Sequence, residues 1–213
     1  MPLLLADDLF LMAHDRQSGR PRLPESALGI GLSSGLLAEL MFSGCVVVAQ
    51  SQLLLGECPP PEGQLSRALF EEVRAQLFTP QANLTLPEWI SSRRHHAIEL
   101  VADRLVREHL IVRDQHRRLG RTVTRYRPVS PADVFMREQR LATFLRNRME
   151  LTELDVVVAA LAMLISAGND LMELESEGRD HLERLIPQLP IPLRELIAAT
   201  DAAVSATLRG SRP

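Results

Sequence analysis

At 213 residues, 46% apolar and 24% charged, the chain has the length and make-up of one good-sized soluble domain, and aromatics at 4% leave its core to Leu, Val, Ile and Ala. The formal net charge is −3 and no lysine occurs, so every fixed cation is an arginine, whose planar fork suits phosphate and carboxylate oxygens. Cys45 and Cys58 give neither metal spacing nor a disulfide framework, which points to a reducing compartment, and Asp7 and Asp8 interrupt the first apolar segment where a signal peptide needs continuity, so a cytoplasmic location is expected.

Leu3–Ala13 predicts a short, largely buried helix closed by a polar turn at residues 15–19. Ser26–Phe42 carries Leu28, Leu32, Leu36 and Leu40 at helical spacing, interleaved with Gly29, Gly31, Ser33, Ser34 and Gly35. So many small residues lower helix propensity and imply that another helix or backbone comes close. Gly44 ends this helix, and Cys45–Ala49 is apolar and β-branched enough for a strand. Glu57–Gly63, with its three consecutive prolines, is a surface loop.

Leu65, Ala68, Leu69, Val73 and Leu77 predict an amphipathic helix. A further helix spans Ser91–His109, with Ile98, Val101, Ala102, Leu105 and Val106 facing inward and Trp89 as a packing anchor at its entry. Ile111–Val112 and Thr122–Tyr126 read as two strands joined by the basic loop Arg113–Arg121, a β-hairpin carrying arginines. Ser130-Pro131-Ala132-Asp133 starts a helix that runs to Arg148.

Leu154–Gly168 is the stretch around which the chain is organised. From Val156 to Ala167 only Ser166 carries a polar side-chain atom, so this helix must be surrounded on every side. It is too short to cross a bilayer, which takes roughly 20 apolar residues. Thr152 and Asp155 cap its start, and Gly168-Asn169 is a left-handed stop. A short helix before Pro187 and a last one over Pro192–Leu208 complete the chain, with residues 209–213 frayed. The fold class is mainly α: one domain over residues 1–213, a helical bundle around a central hydrophobic helix, with a small projecting β-hairpin.

Charge is unevenly spread. From Arg93 to Arg127 ten arginines stand against four acids, and from Glu150 to Asp201 eleven acids stand against three arginines. That polarity points to an anionic partner on one side, with a solvated basic face as the alternative. No nucleophile-elbow serine, zinc-binding helix or phosphate loop with its lysine is present, so a non-enzymatic protein without a cofactor is expected. His95 and Glu99, four residues apart, are read as a structural pair. A winged-helix DNA reader would use residues 91–109 as recognition helix and 113–126 as wing, although Glu99 and Asp103 dilute the arginines there. A protein-binding adaptor is a third reading.

Several blocks, taken in order, carry a family likeness. They are Asp7-Asp8-Leu9-Phe10-Leu11 ahead of Asp15, Leu36-Leu37-Ala38-Glu39-Leu40 with Ser43-Gly44, Ala102-Asp103-Arg104-Leu105-Val106, Arg125-Tyr126-Arg127-Pro128, and Leu154–Gly168. Over Leu3–Leu208 the chain resembles the Golgi phosphoprotein 3 family, and is similar to its arginine-rich actinobacterial members. The resemblance implies amphipathic helices around a hydrophobic one, a projecting hairpin used for self-association and membrane contact, and phosphoinositide binding, best attested for phosphatidylinositol 4-phosphate, on the cytosolic membrane face. A peripheral membrane protein is the expectation. The family's headgroup positions fall on Pro24, Ser33, His95 and Ile98, and none keeps the family's tryptophan or arginine. The candidate anionic-headgroup residues are therefore Arg20, Arg22, Ser33, Arg93, Arg94 and His95. The candidates for hairpin self-association or membrane contact are Arg117, Arg118, Arg121, Arg125 and Tyr126. The expected partners are an anionic lipid or phosphorylated headgroup, a membrane surface and a second copy of the chain, with nucleic acid as the alternative.

Overall fold

A computed structural model of the chain describes residues 4–79, 84–118, 121–166 and 171–210, with residues 116–118, 121, 122, 208 and 210 described by their backbone alone. The elements in order are α1 (Leu5–Met12), α2 (Glu25–Phe42), β1 (Val46–Ala49), β2 (Gln52–Leu55), α3 (Gln64–Leu77), α4 (Leu86–Arg93) and α5 (Ala97–Arg107). Then follow β3 (Ile111–Arg118), β4 (Arg121–Pro128), α6 (Pro131–Arg146), α7 (Glu153–Ile165), α8 (Ser176–Leu185), a 3-10 turn (Ile186–Gln188) and α9 (Ile191–Gly210). The fold is mainly α, as expected, with two small antiparallel hairpins among the described residues.

α7 starts where the sequence puts it. Asp155 N–H donates to Thr152 Oγ1 at 3.1 Å and Thr152 N–H donates back to the Asp155 carboxylate at 3.3 Å, a reciprocal cap. Val156–Ala162 and Ile165 are buried, enclosed by α1, α2, α8 and α9. The stop at Gly168-Asn169 lies outside the described residues.

α7 nevertheless shares the centre of the fold with α2, whose residues are buried without interruption from Ala27 to Ala38. α2 packs on α1, α3, α4, α5, α7, α9 and β1. The small residues permit this. A Cβ on Gly31 would lie 2.7 Å from Ile165 of α7, and one on Gly29 would lie 2.0 Å from the carbonyl oxygen of Arg94. Ser33 and Ser34 tolerate burial because their hydroxyls donate to the carbonyls of Gly29 and Ile30, at 2.8 and 3.0 Å.

One arginine of the basic segment is structural. Arg104 is 5% exposed; its Nε donates to Asp7 at 2.8 Å, and Nη1 and Nη2 donate to the two Glu39 oxygens at 2.7 and 3.0 Å. The charge is thereby satisfied inside the protein, and α1, α2 and α5 are joined. Burial pushes the Asp7 carboxyl up to about 6, against the pull of Arg104.

Three expectations are corrected. The helix over residues 91–109 is two helices: α4 begins at Leu86 behind a Thr85–Glu88 cap, and a connector at Arg94–His96 turns the chain into α5, leaving Ile98 and Val106 only partly buried. The basic loop of the second hairpin is strand, with Ile111 opposite Pro128 and Arg118 opposite Arg121. Finally, Cys45 and Cys58 are joined by a disulfide, contrary to the reading of reduced cysteines. The unanticipated first hairpin explains the pairing. The β1–β2 turn at Gln50 and Ser51, both at positive φ (52° and 61°), folds the chain back so that Gly56 N–H donates to Cys45 O at 3.0 Å.

Candidate anion-binding cleft

α2 and α9 run antiparallel, since Ser26 and Ile30 lie beside Ala203, Ala206 and Thr207, while Met41 and Phe42 lie beside Pro192 and Leu193. At the first of these ends the α4–α5 connector closes against α2 through the Gly29–Arg94 contact. The three elements enclose an open cleft of about 410 Å³ lined by Ser26, Ile30, Ser91, Arg94, His95, Ala203, Ala206 and Thr207. Among the described residues no carboxylate is in that lining. Arg94 Nε donates to His95 Nε2 at 3.0 Å. α2 has no side-chain cap, so the N–H groups of its first turn make a partial positive end beside Ser26. A guanidinium, an imidazole, hydroxyls and a helix N-terminus together suit phosphate oxygens.

The six predicted headgroup residues do not converge. Arg94 and His95 line the cleft. Arg93 turns to α3 and pairs with Glu72, and burial lowers its pKa. Arg22 donates to the carbonyls of Met12 (3.3 Å) and Leu171 (3.4 Å) and faces a different cleft, while Arg20 is exposed on the loop before α2. Ser33 is fully buried, its hydroxyl given to Gly29, and cannot reach a ligand. Of the other family pocket positions, Pro24 is the N-cap residue of α2 and Ile98 packs against the core.

The hairpin candidates divide similarly. Tyr126 is 6% exposed and anchors the hairpin root: its hydroxyl donates to Glu99 at 2.9 Å, its ring meets Phe10 and His14 edge-on, and Arg113 lies over its face. Burial, then the Glu99 contact, raise its hydroxyl pKa above the ordinary tyrosine range. Tyr126 is thus a core residue and not part of a contact surface. Arg125 is half-buried, and the side chains of Arg117, Arg118 and Arg121 lie outside the described residues. The recognition helix of the DNA reading is absent as one element, and its Arg104 is buried.

Ser26, Ser91 and Thr207 were not legible as site residues, since isolated hydroxyls carry no motif. Only the run of small residues near the end of α9 hints that something lies against it. Among the described residues no helix is long and apolar enough to cross a membrane. A search of curated proteins returns no significant match. A family model does match: that of Golgi phosphoprotein 3, over residues 5–206.

Proposed function

The chain belongs to the Golgi phosphoprotein 3 family, and on that premise we propose that it attaches peripherally to membranes by holding an anionic, phosphorylated headgroup of the phosphatidylinositol 4-phosphate kind in the α2–α4–α9 cleft. The observation that carries the reading is the cleft's lining, in which, among the described residues, Arg94 and His95 stand with three hydroxyl residues and no carboxylate. A phosphomonoester brings up to two negative charges and several acceptor oxygens. Arg94 meets them with a fork, Ser26 and Ser91 supply donors, and the first turn of α2, which also carries Glu25, adds the partial positive end of its dipole. The binding is modest by construction: an arginine near an anionic surface contributes about 1 kcal/mol, so attachment is reversible. The proposed role is non-catalytic, one of positioning donors around a headgroup.

The test is sedimentation of the full chain with phosphatidylcholine vesicles, with and without phosphatidylinositol 4-phosphate. Binding to the anionic vesicles alone, weakened roughly tenfold or more by Arg94→Glu, supports the reading. Equal, negligible binding to both, or a tight, salt-steep complex with duplex DNA in its place, overturns it.

A further inference from the structure

A second cleft, of about 210 Å³, lies where the loop before α2 meets α6 and residues 171–173, and it shares no lining residue with the first. Its centre is Glu138 of α6, which is 5% exposed. Glu138 Oε2 accepts a hydrogen bond from Arg16, but Oε1 has no hydrogen-bond partner. Arg22 Nη1 stands 3.8 Å from Oε1, close enough to attract its charge and too far to donate. A buried carboxylate oxygen without a donor is costly, and this one borders the cleft.

The surroundings define the missing donor. Arg16 is seated 4.7 Å over the Phe135 ring and lines the cleft, as does Arg22. Glu173 lines the same cleft and is exposed. His14 adds no charge: it donates Nδ1–H to Phe10 O at 2.7 Å, and burial lowers its pKa. Asp15 is engaged by the Ser18 amide and hydroxyl. A ligand that is only a cation would be repelled by the arginines, and one that is only an anion by Glu138 and Glu173. A group carrying both charges finds a partner for each.

We propose that this cleft binds a small zwitterion that joins a primary ammonium to a phosphate, the ammonium donating to Glu138 Oε1 and facing Glu173, the phosphate lying against Arg16 and Arg22. Two guanidinium groups lining one cleft suit a phosphate, whose oxygens can accept from both. The chemistry is that of a phosphoethanolamine group, whether free or as the headgroup of a lipid. It does not rest on the reading of the α2–α4–α9 cleft.

The experiment is isothermal titration of the full chain with O-phosphoethanolamine, ethanolamine and inorganic phosphate. Saturable binding of the zwitterion, roughly tenfold or more tighter than either half and weakened by a similar factor in Glu138→Gln, is the expected result. If Glu138→Gln does not fold, Glu173→Gln at its exposed position is expected to weaken binding in the same direction. Preference for vesicles containing phosphatidylethanolamine over phosphatidylcholine alone would identify the lipid as the source, and binding of the soluble probe without that preference the free compound; either supports the site. No heat with O-phosphoethanolamine, phosphate binding equally well, or affinity unchanged in the variants overturns it.

Discussion

Gly29→Ala and Gly178→Ala make the same chemical change in two helices and are expected to act with opposite signs. On Gly29 the added Cβ would lie 2.0 Å from the Arg94 carbonyl oxygen and 2.9 Å from its carbon. Carbon normally meets a carbonyl oxygen at about 3.3–3.6 Å, so α2 or the connector must move by more than about 1 Å. The obstacle is backbone and cannot swing aside. On Gly178 of α8 the nearest atoms stand 3.5 and 3.8 Å away, ordinary contact. Both changes gain up to about 1 kcal/mol of helix propensity. Overpacking costs about 1–3 kcal/mol, and a clash this close with backbone belongs at the upper end, about 2–3 kcal/mol, which leaves Gly29→Ala a net loss of about 1–2 kcal/mol, whereas Gly178→Ala keeps a gain of about 0.5–1 kcal/mol. At about 2–4 °C per kcal/mol for a chain of this size, thermal denaturation followed by circular dichroism should show Gly29→Ala melting about 2–8 °C lower and Gly178→Ala about 1–4 °C higher. Gly29→Ala should also weaken binding to anionic vesicles at a temperature where it is folded, because the displaced connector carries Arg94 and His95. A Gly29→Ala protein with wild-type stability and vesicle binding would show that α2 and the connector do not touch.

Arg104→Met should cost about 3–5 kcal/mol in urea denaturation, because Asp7 and Glu39 are left in the interior without their counter-ion; a loss under about 1 kcal/mol would remove Arg104 as the clasp of α1, α2 and α5. His14, buried against Phe10 and Tyr126, has its pKa lowered by desolvation despite its bond to Phe10 O. The unfolded chain therefore takes up the proton first, and His14 contributes stability that is present above its ordinary value of 6.5 and lost as pH falls below it. Asp7, raised to about 6, acts in the opposite sense, its contribution being lost as pH rises through that value. The His14 part is isolated by comparison with His14→Phe, whose melting temperature should decline less than that of the wild type below pH 6.5; parallel profiles would contradict it. Alkylation and mass spectrometry of the non-reduced protein should find no reactive thiol, and reduction should expose two and cost about 3 kcal/mol for the loop between Cys45 and Cys58, separated by 13 residues. Two alkylated cysteines without reductant would show that the bond does not form.

Legibility followed the strength of local chemistry. The starts of α6 and α7 were readable because Ser130-Pro131 and Thr152 with Asp155 satisfy helix N–H groups within one turn. The small residues of α2 were readable as a mark of close approach, though not that this helix would share the centre of the fold with α7. The β1–β2 hairpin was missed because its turn uses Gln50 and Ser51 at positive φ, where glycine or asparagine would have signalled it. Tertiary bonds hold it: Leu86 N–H donates to Ser51 O, and the Ser51 amide donates to Glu195 of α9. Without that hairpin the two cysteines had no reason to meet. The break between α4 and α5 lacks proline and glycine, and its cause, the packing of the Arg94 carbonyl on Gly29, lies more than sixty positions away in the chain. The same holds for the cleft. Arg94 and His95 stood out by charge, but which arginines turn inward, as Arg93 does to Glu72 and Arg104 to Glu39, is decided by acids on other helices.

The claim that the α2–α4–α9 cleft holds a phosphorylated headgroup is tested most directly by sedimenting wild type and Arg94→Glu with phosphatidylcholine vesicles that contain or lack phosphatidylinositol 4-phosphate. The prediction is co-sedimentation of the wild type with the anionic vesicles only, and recovery of the variant, folded, in the supernatant. Wild-type protein left in the supernatant with both kinds of vesicle, or a variant that binds as well as the wild type, would contradict it.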